Sequence, residues 1–80
     1  MSIEQEYLTL IKNIKKYRKM NKLTQEQLAE MTDLSSSYIK QIESSSYFKN
    51  ITLNTLFKIA KALNVEIIDL FTKNNTKIGV

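Results

Sequence analysis

Apolar residues recur at three- and four-residue spacing along most of the chain, which is the period of helices with one buried face. Tyr7, Leu10, Ile11, Ile14 and Tyr17 predict a first helix from about Glu4 to Met20, with most of its lysines on the other face. Asn21 is the predicted stop, because Asn tolerates the left-handed backbone at a helix C-terminus. A second helix runs from Gln25 to about Met31 or Thr32. Thr24 caps it, Gln27 completes a capping box, and Leu23 and Leu28 form a hydrophobic staple. Leu28, Ala29 and Met31 are expected to face inward. After a turn at Thr32, Asp33 and Leu34, Ser35 caps a third helix from Ser36 to about Ser44, with Ile39 and Ile42 inward and Tyr38 near the edge. Ser44, Ser45 and Ser46 open a loop that lasts to Ile51.

Thr52 caps a fourth helix, Leu53 to Leu63, with an apolar stripe of Leu53, Leu56, Phe57, Ala60 and Leu63 and a stop at Asn64. A short fifth helix, Glu66 to Phe71, adds Ile67, Leu70 and Phe71 to the core. The pattern predicts an all-α fold, five short helices in one compact domain over residues 1–72, followed by a polar, mobile tail over residues 73–80. The composition agrees. The chain has no proline and a single glycine, Gly79, so its turns fall to Asn, Asp, Ser and Thr. At 80 residues there is room for one core, and dimerisation would usefully supplement its stability.

The missing residue types narrow the chemistry. Without Cys or His, disulfides, zinc sites and most acid–base or nucleophilic catalysis lose their usual groups. An enzyme is not expected, nor a metal, a cofactor or a small-molecule ligand. Glu4 and Glu6 break any signal-peptide pattern, and the apolar runs are too short to span a membrane. A cytoplasmic location follows. Net charge is +4, and Lys12, Lys15, Lys16, Arg18, Lys19 and Lys22 fall in one stretch without an acidic residue. Such a segment attracts phosphate backbones or anionic membranes, or is simply a solvated helix face.

The second and third helices are each about two turns long and separated by three or four residues. Ala29 stands where they would come closest, and Leu34 and Ile39 can fill the wedge. This is the plan of a helix-turn-helix, whose second helix enters the major groove. The stretch from Leu23 to Glu43, LTQEQLAEMTDLSSSYIKQIE, resembles the lambda-repressor-like, Cro-type (XRE) helix-turn-helix family. The similarity continues in Ile14–Met20, IKKYRKM, and in Thr52–Phe71, TLNTLFKIAKALNVEIIDLF. The sequence departs from the family pattern at Asp33, where glycine is usual. It departs again at Ser44 and Ser45, where a basic residue and glycine are common, and in a slightly longer following loop.

The resemblance implies that Ser36, Ser37, Lys40 and Gln41 face the bases of double-stranded DNA. Helical spacing independently sets these four opposite Ile39 and Ile42, and their side chains can read base edges. Their plainer alternatives are helix caps for the serines and solvated positions for Lys40 and Gln41. Gln25 at the start of the second helix suits a phosphate. Ser35, Tyr38, Lys49 and Asn50 are the further phosphate candidates. The resemblance also implies a structural ion pair between Arg18 and Glu43. Ile68, Tyr47 and Phe48 are the candidates for a dimer contact. The leading functional reading is a homodimeric transcription regulator on a palindromic operator, as in the restriction–modification controllers and the phage or plasmid repressors of the family. The competing readings are a protein-binding, antitoxin-like or assembly module on the same fold, and membrane-surface binding by the first helix.

Overall fold

The structure, a computed structural model, describes residues 3–44 and 51–73. Five helices follow in order: α1 (Ile3–Met20), α2 (Gln25–Thr32), α3 (Ser36–Glu43), α4 (Leu53–Leu63) and α5 (Ile67–Phe71). The all-α expectation holds, with boundaries shifted by a residue at α1, α3 and α5. The proposed tail beyond Lys73 and the loop residues Tyr47, Phe48, Lys49 and Asn50 lie outside the described residues.

Side-chain caps start three of the helices. Thr24 Oγ1 accepts from the Gln27 N–H at 3.0 Å and Gln27 Oε1 accepts from the Thr24 N–H at 2.8 Å, the reciprocal box expected at α2. Ser35 Oγ accepts from the Tyr38 N–H at 3.0 Å and Thr52 Oγ1 from the Thr55 N–H at 3.1 Å.

Three helices end in one way, a left-handed residue followed by paired backbone bonds to the last turn. At α2 the residue is Asp33 (φ 61°), with the Leu34 N–H on the Ala29 carbonyl at 2.9 Å. At α4 it is Asn64 (φ 61°), with the Val65 N–H on Ala60 at 3.0 Å. At α1 it is Lys22 (φ 58°) rather than Asn21, with the Leu23 N–H on Arg18 at 3.1 Å. Asn21 instead uses its carboxamide, donating from Nδ2 to the Tyr17 carbonyl at 2.8 Å and the Leu63 carbonyl at 3.1 Å. It thus ties the end of α1 to the end of α4. Holding a lysine in the left-handed region costs roughly 1–2 kcal/mol, and that carboxamide bridge is among the contacts that offset it.

The core gathers Leu10, Ile11 and Ile14 of α1, Leu28 and Ala29 of α2, Ile39 and Ile42 of α3, Leu56, Ile59, Ala60 and Leu63 of α4, and Leu70 of α5. Several expected core positions turn out differently. Met31 is 55% exposed, and Thr32 is buried in its place. Thr32 falls between Leu28 and Ala29 on the helix, and its hydroxyl donates to their carbonyls at 2.8 and 3.1 Å, so a polar side chain is buried without an orphan group. On α4, Leu53 and Phe57 are exposed at 62% and 54%, while Ile59 is fully buried. The apolar arc of α4 is wider than its buried arc, which centres on Leu56, Ile59, Ala60 and Leu63. Phe71 is partly exposed as well.

Asn13 is a buried polar residue on α1. Its Nδ2 donates to the carbonyls of Leu70 and Thr72, both at 2.9 Å, with Asp69 at 3.3 Å. These are C-terminal carbonyls of a five-residue helix that has few partners of its own. Replacing Asn13 with Ala leaves them facing a buried gap and is expected to cost about 1–3 kcal/mol. Urea denaturation should show the midpoint falling with an unchanged slope; an unmoved midpoint would mean that water replaces the amide at no cost.

Candidate nucleic-acid interface

Helices α2 and α3 are packed against each other through small and aliphatic side chains. Ala29 is buried at their junction, Leu34 is half-buried in the turn, and Ile39 and Ile42 close the inner face of α3. The turn itself needs a residue with positive φ, and Asp33 supplies it. A carboxylate-bearing side chain tolerates that conformation better than most, which is why the departure from glycine leaves the turn intact.

With Ile39, Ile42 and Glu43 inward, the 100° step of the helix assigns the outer face of α3. Ser37 and Gln41 lie nearest the direction opposite the core, and both are exposed. Lys40 stands on the flank nearer α2, where its Nζ is 3.7 Å from Glu26 Oε2 in an exposed pair. Such a pair is worth at most about 1 kcal/mol, so it can be exchanged for a stronger acceptor. Ser36 is half-buried on the same flank, and Tyr38 is half-buried on the other. Ser35 is exposed with its oxygen engaged as the cap of α3. The four proposed base readers are thus on one helix in two pairs, Ser37 with Gln41 outermost and Ser36 with Lys40 at the edge.

Beneath this face lies a buried ion pair. Arg18 Nε donates to Glu43 Oε2 at 2.8 Å and Nη2 donates to Oε1 at 2.9 Å, a parallel two-bond fork. Nη1 of the same guanidinium donates to the Leu23 carbonyl at 2.7 Å. Arg18 therefore fastens α1, the α1–α2 connection and the last residue of α3 at one point. Glu43 is 6% exposed, so the pair is shielded from solvent.

Gln25 adds a contact that spacing along the chain did not reveal. Its Nε2 donates to Glu43 Oε1 at 3.0 Å. The carboxylate consequently links the start of α2, the end of α3 and the middle of the basic segment. The Gln25 amide keeps a second N–H, and the side chain is half-buried at the N-terminus of α2. No sequence pattern signals this bond, because it joins residues 18 apart through the tertiary packing.

Among the described residues there is no grouping of His, Cys, Asp or Glu able to hold a metal, and no helix long and apolar enough to cross a membrane. A helix-turn-helix family model matches residues 14–70, well over half of the chain. The chain belongs to the XRE/Cro-type helix-turn-helix family. This family membership makes it a DNA-binding regulatory domain rather than an enzyme. A control protein of Serratia marcescens, C.SmaI, is 43% identical over 68 residues, 85% of this chain and 79% of that protein. The immunity repressor protein of Bacillus phage phi105 is 45% identical over 60 residues, 75% of this chain. The match spans 40% of the phage repressor's length. Among solved structures, the restriction-modification controller protein C.AhdI from Aeromonas hydrophila superposes with a TM-score of 0.75 at 28% identity, over 84% of this chain and 98% of that one. The two chains therefore share one overall fold.

Proposed function

We propose that this protein is a homodimeric, sequence-specific transcription regulator of the restriction–modification controller type, with α3 in the major groove of a palindromic operator. The carrying observation is the outer face of α3. It offers Ser37, Gln41, Lys40 and Ser36 on a helix whose inner face is locked by Ile39, Ile42 and the Arg18–Glu43 pair. Gln presents a bidentate donor–acceptor pair that fits adenine, Lys donates to guanine acceptors, and the serines serve either role. Gln25 and Ser35 lie at the N-termini of α2 and α3, where free N–H groups suit phosphates. Tyr38 completes the set on the flank of α3. The similarity to C.SmaI and C.AhdI, both control proteins by name, supports the regulator type. The similarity to the phage immunity repressor supports transcription regulation in general rather than the controller type.

The dimer surface in this reading is on α4 and α5. Ile68 is 68% exposed and projects away from buried Leu70. Leu53, Phe57 and Phe71 leave further apolar surface exposed on the same two helices. Separately scattered apolar side chains are ordinary, but several on two adjacent helices favour an interface. Two copies joined there would present two recognition helices to half-sites about one helical turn apart, roughly 34–36 Å.

Ile68→Glu tests this. Sedimentation should shift toward the monomer, and affinity for a two-half-site duplex should fall while the helical far-ultraviolet spectrum stays unchanged. A dimer that persists through the substitution would remove Ile68 from the interface and leave Leu53 and Phe57 of α4, with Tyr47 and Phe48, as the remaining candidates.

A further inference from the structure

The basic segment contains lysines that the recognition face does not use. On α1 the 100° step places Lys15, Lys19 and Lys12 within a sector of about 60°, beginning about 60° from Arg18. Lys16 falls further round, over the ring of Tyr17 at 4.7 Å. The sector borders α3. Lys12 and Lys15 line one surface depression together with Leu8, Ile11 and Glu43, the last residue of the recognition helix. Lys12, Lys15 and Lys19 are all exposed, and none takes part in the two ion pairs found among the described residues.

Glu43 is the nearby acid, yet it is not a counter-ion for these lysines. Both of its oxygens are held by Arg18, and Gln25 donates to one of them as well. With that carboxylate neutralised, the lysine edge of α1 carries uncompensated positive charge beside the C-terminal end of α3. A stripe of this kind gains little from intramolecular pairing and most from an external polyanion. From Lys12 to Lys19 the helix rises about 10 Å, while a duplex offers a phosphate every ~3.4 Å of axis on each strand. At that spacing the length spans about three phosphate intervals.

We propose that Lys12, Lys15 and Lys19 form a second phosphate-binding edge, which grips the backbone of duplex DNA beside the end of α3 when that helix occupies the groove. This rests on the DNA-binding reading above and extends it from the helix-turn-helix to the flank of α1. These contacts carry no sequence information. They add affinity, salt dependence and a fixed tilt of α3.

The test compares two charge-matched double variants of the full chain. Lys12→Gln/Lys15→Gln alters the proposed edge. Lys58→Gln/Lys61→Gln alters α4, where Lys58 and Lys61 flank Asp33 at the end of α2 away from Gln25. Each double variant lowers the net charge from +4 to +2. Binding to a short duplex of arbitrary sequence is measured by fluorescence anisotropy across a series of salt concentrations. The α1 variant should flatten the slope of log K against log salt by about 0.9 for each phosphate that is no longer neutralised, close to 2 per bound protomer. The α4 variant should leave the slope near that of the wild type. Equal flattening by both variants, or by neither, overturns the edge while the DNA-binding reading stands. A wild-type chain with no salt-dependent affinity for duplex DNA overturns both.

Discussion

Glu43→Ala is expected to lower the stability of the folded domain by about 3–5 kcal/mol. The substitution removes both oxygens that Arg18 grips at 2.8 and 2.9 Å and strands the guanidinium of a residue that is only 8% exposed. The Leu23 carbonyl remains as a partner at 2.7 Å, but one neutral acceptor does not balance a buried charge. Gln25 loses its acceptor in the same step. Domains of this size have only about 4–12 kcal/mol in total, so much of the stability is at stake. A fall of that size corresponds to a loss of roughly 12–40 °C in melting temperature. Thermal denaturation followed by circular dichroism reads it directly. The double replacement Arg18→Met/Glu43→Leu is expected to recover most of the loss, since a buried pair is costly to desolvate and apolar side chains of similar volume can replace it. A Glu43→Ala variant that melts within a few degrees of the wild type would show that solvent reaches the pair and that it does not fasten α3.

The second large effect concerns base recognition. Gln41→Ala should weaken binding to the operator by about 1–3 kcal/mol, a factor of roughly 5–150, and leave affinity for random duplex nearly unchanged. Gln41 is exposed near the centre of the outer face of α3, and the inner face is complete without it. Stability should therefore hold, which separates this variant from Glu43→Ala. Competition binding with specific and arbitrary duplexes provides the comparison. An equal loss on both would recast Gln41 as a backbone contact and move base reading to Ser37 and Lys40.

Most helix starts were legible in the sequence because they rest on local chemistry. Thr24, Ser35 and Thr52 cap the helices they precede by bonding a backbone N–H three residues on. The same holds for the stops at Asp33 and Asn64. Asn21 and Lys22 show where local reading ends. The left-handed position is set by where the last helical bonds close, and one residue of difference sends the Asn side chain to α4 and leaves the strained backbone to Lys. Met31 and Thr32, and Phe57 and Ile59, were exchanged for a related reason. The apolar positions mark a broad arc of the helix, with Phe57 and Ile59 on its two sides about 200° apart, and the neighbouring helices decide which side is covered.

The placement of Ser36, Ser37, Lys40 and Gln41 away from the core-facing Ile39 and Ile42 was legible for the same reason as the caps, because all six share one short helix. The Arg18–Glu43 pair was implied by family resemblance and stands in the structure as a two-bond fork. The Gln25–Glu43 bond and the Asn13 bridge to α5 were not legible. Each depends on tertiary placement, and no spacing along the chain encodes it. Asn13 did carry a weak signal, since it lies three residues after Leu10 on the flank of the apolar stripe of α1.

The measurement that bears most directly on the central claim is in-vitro selection from a random duplex library, followed by affinity measurements at two salt concentrations. The expected result is enrichment of a palindromic motif with half-sites about one helical turn apart and an affinity that falls steeply with salt. Failure of the folded protein to enrich any motif would contradict it and point to a protein partner for the same fold.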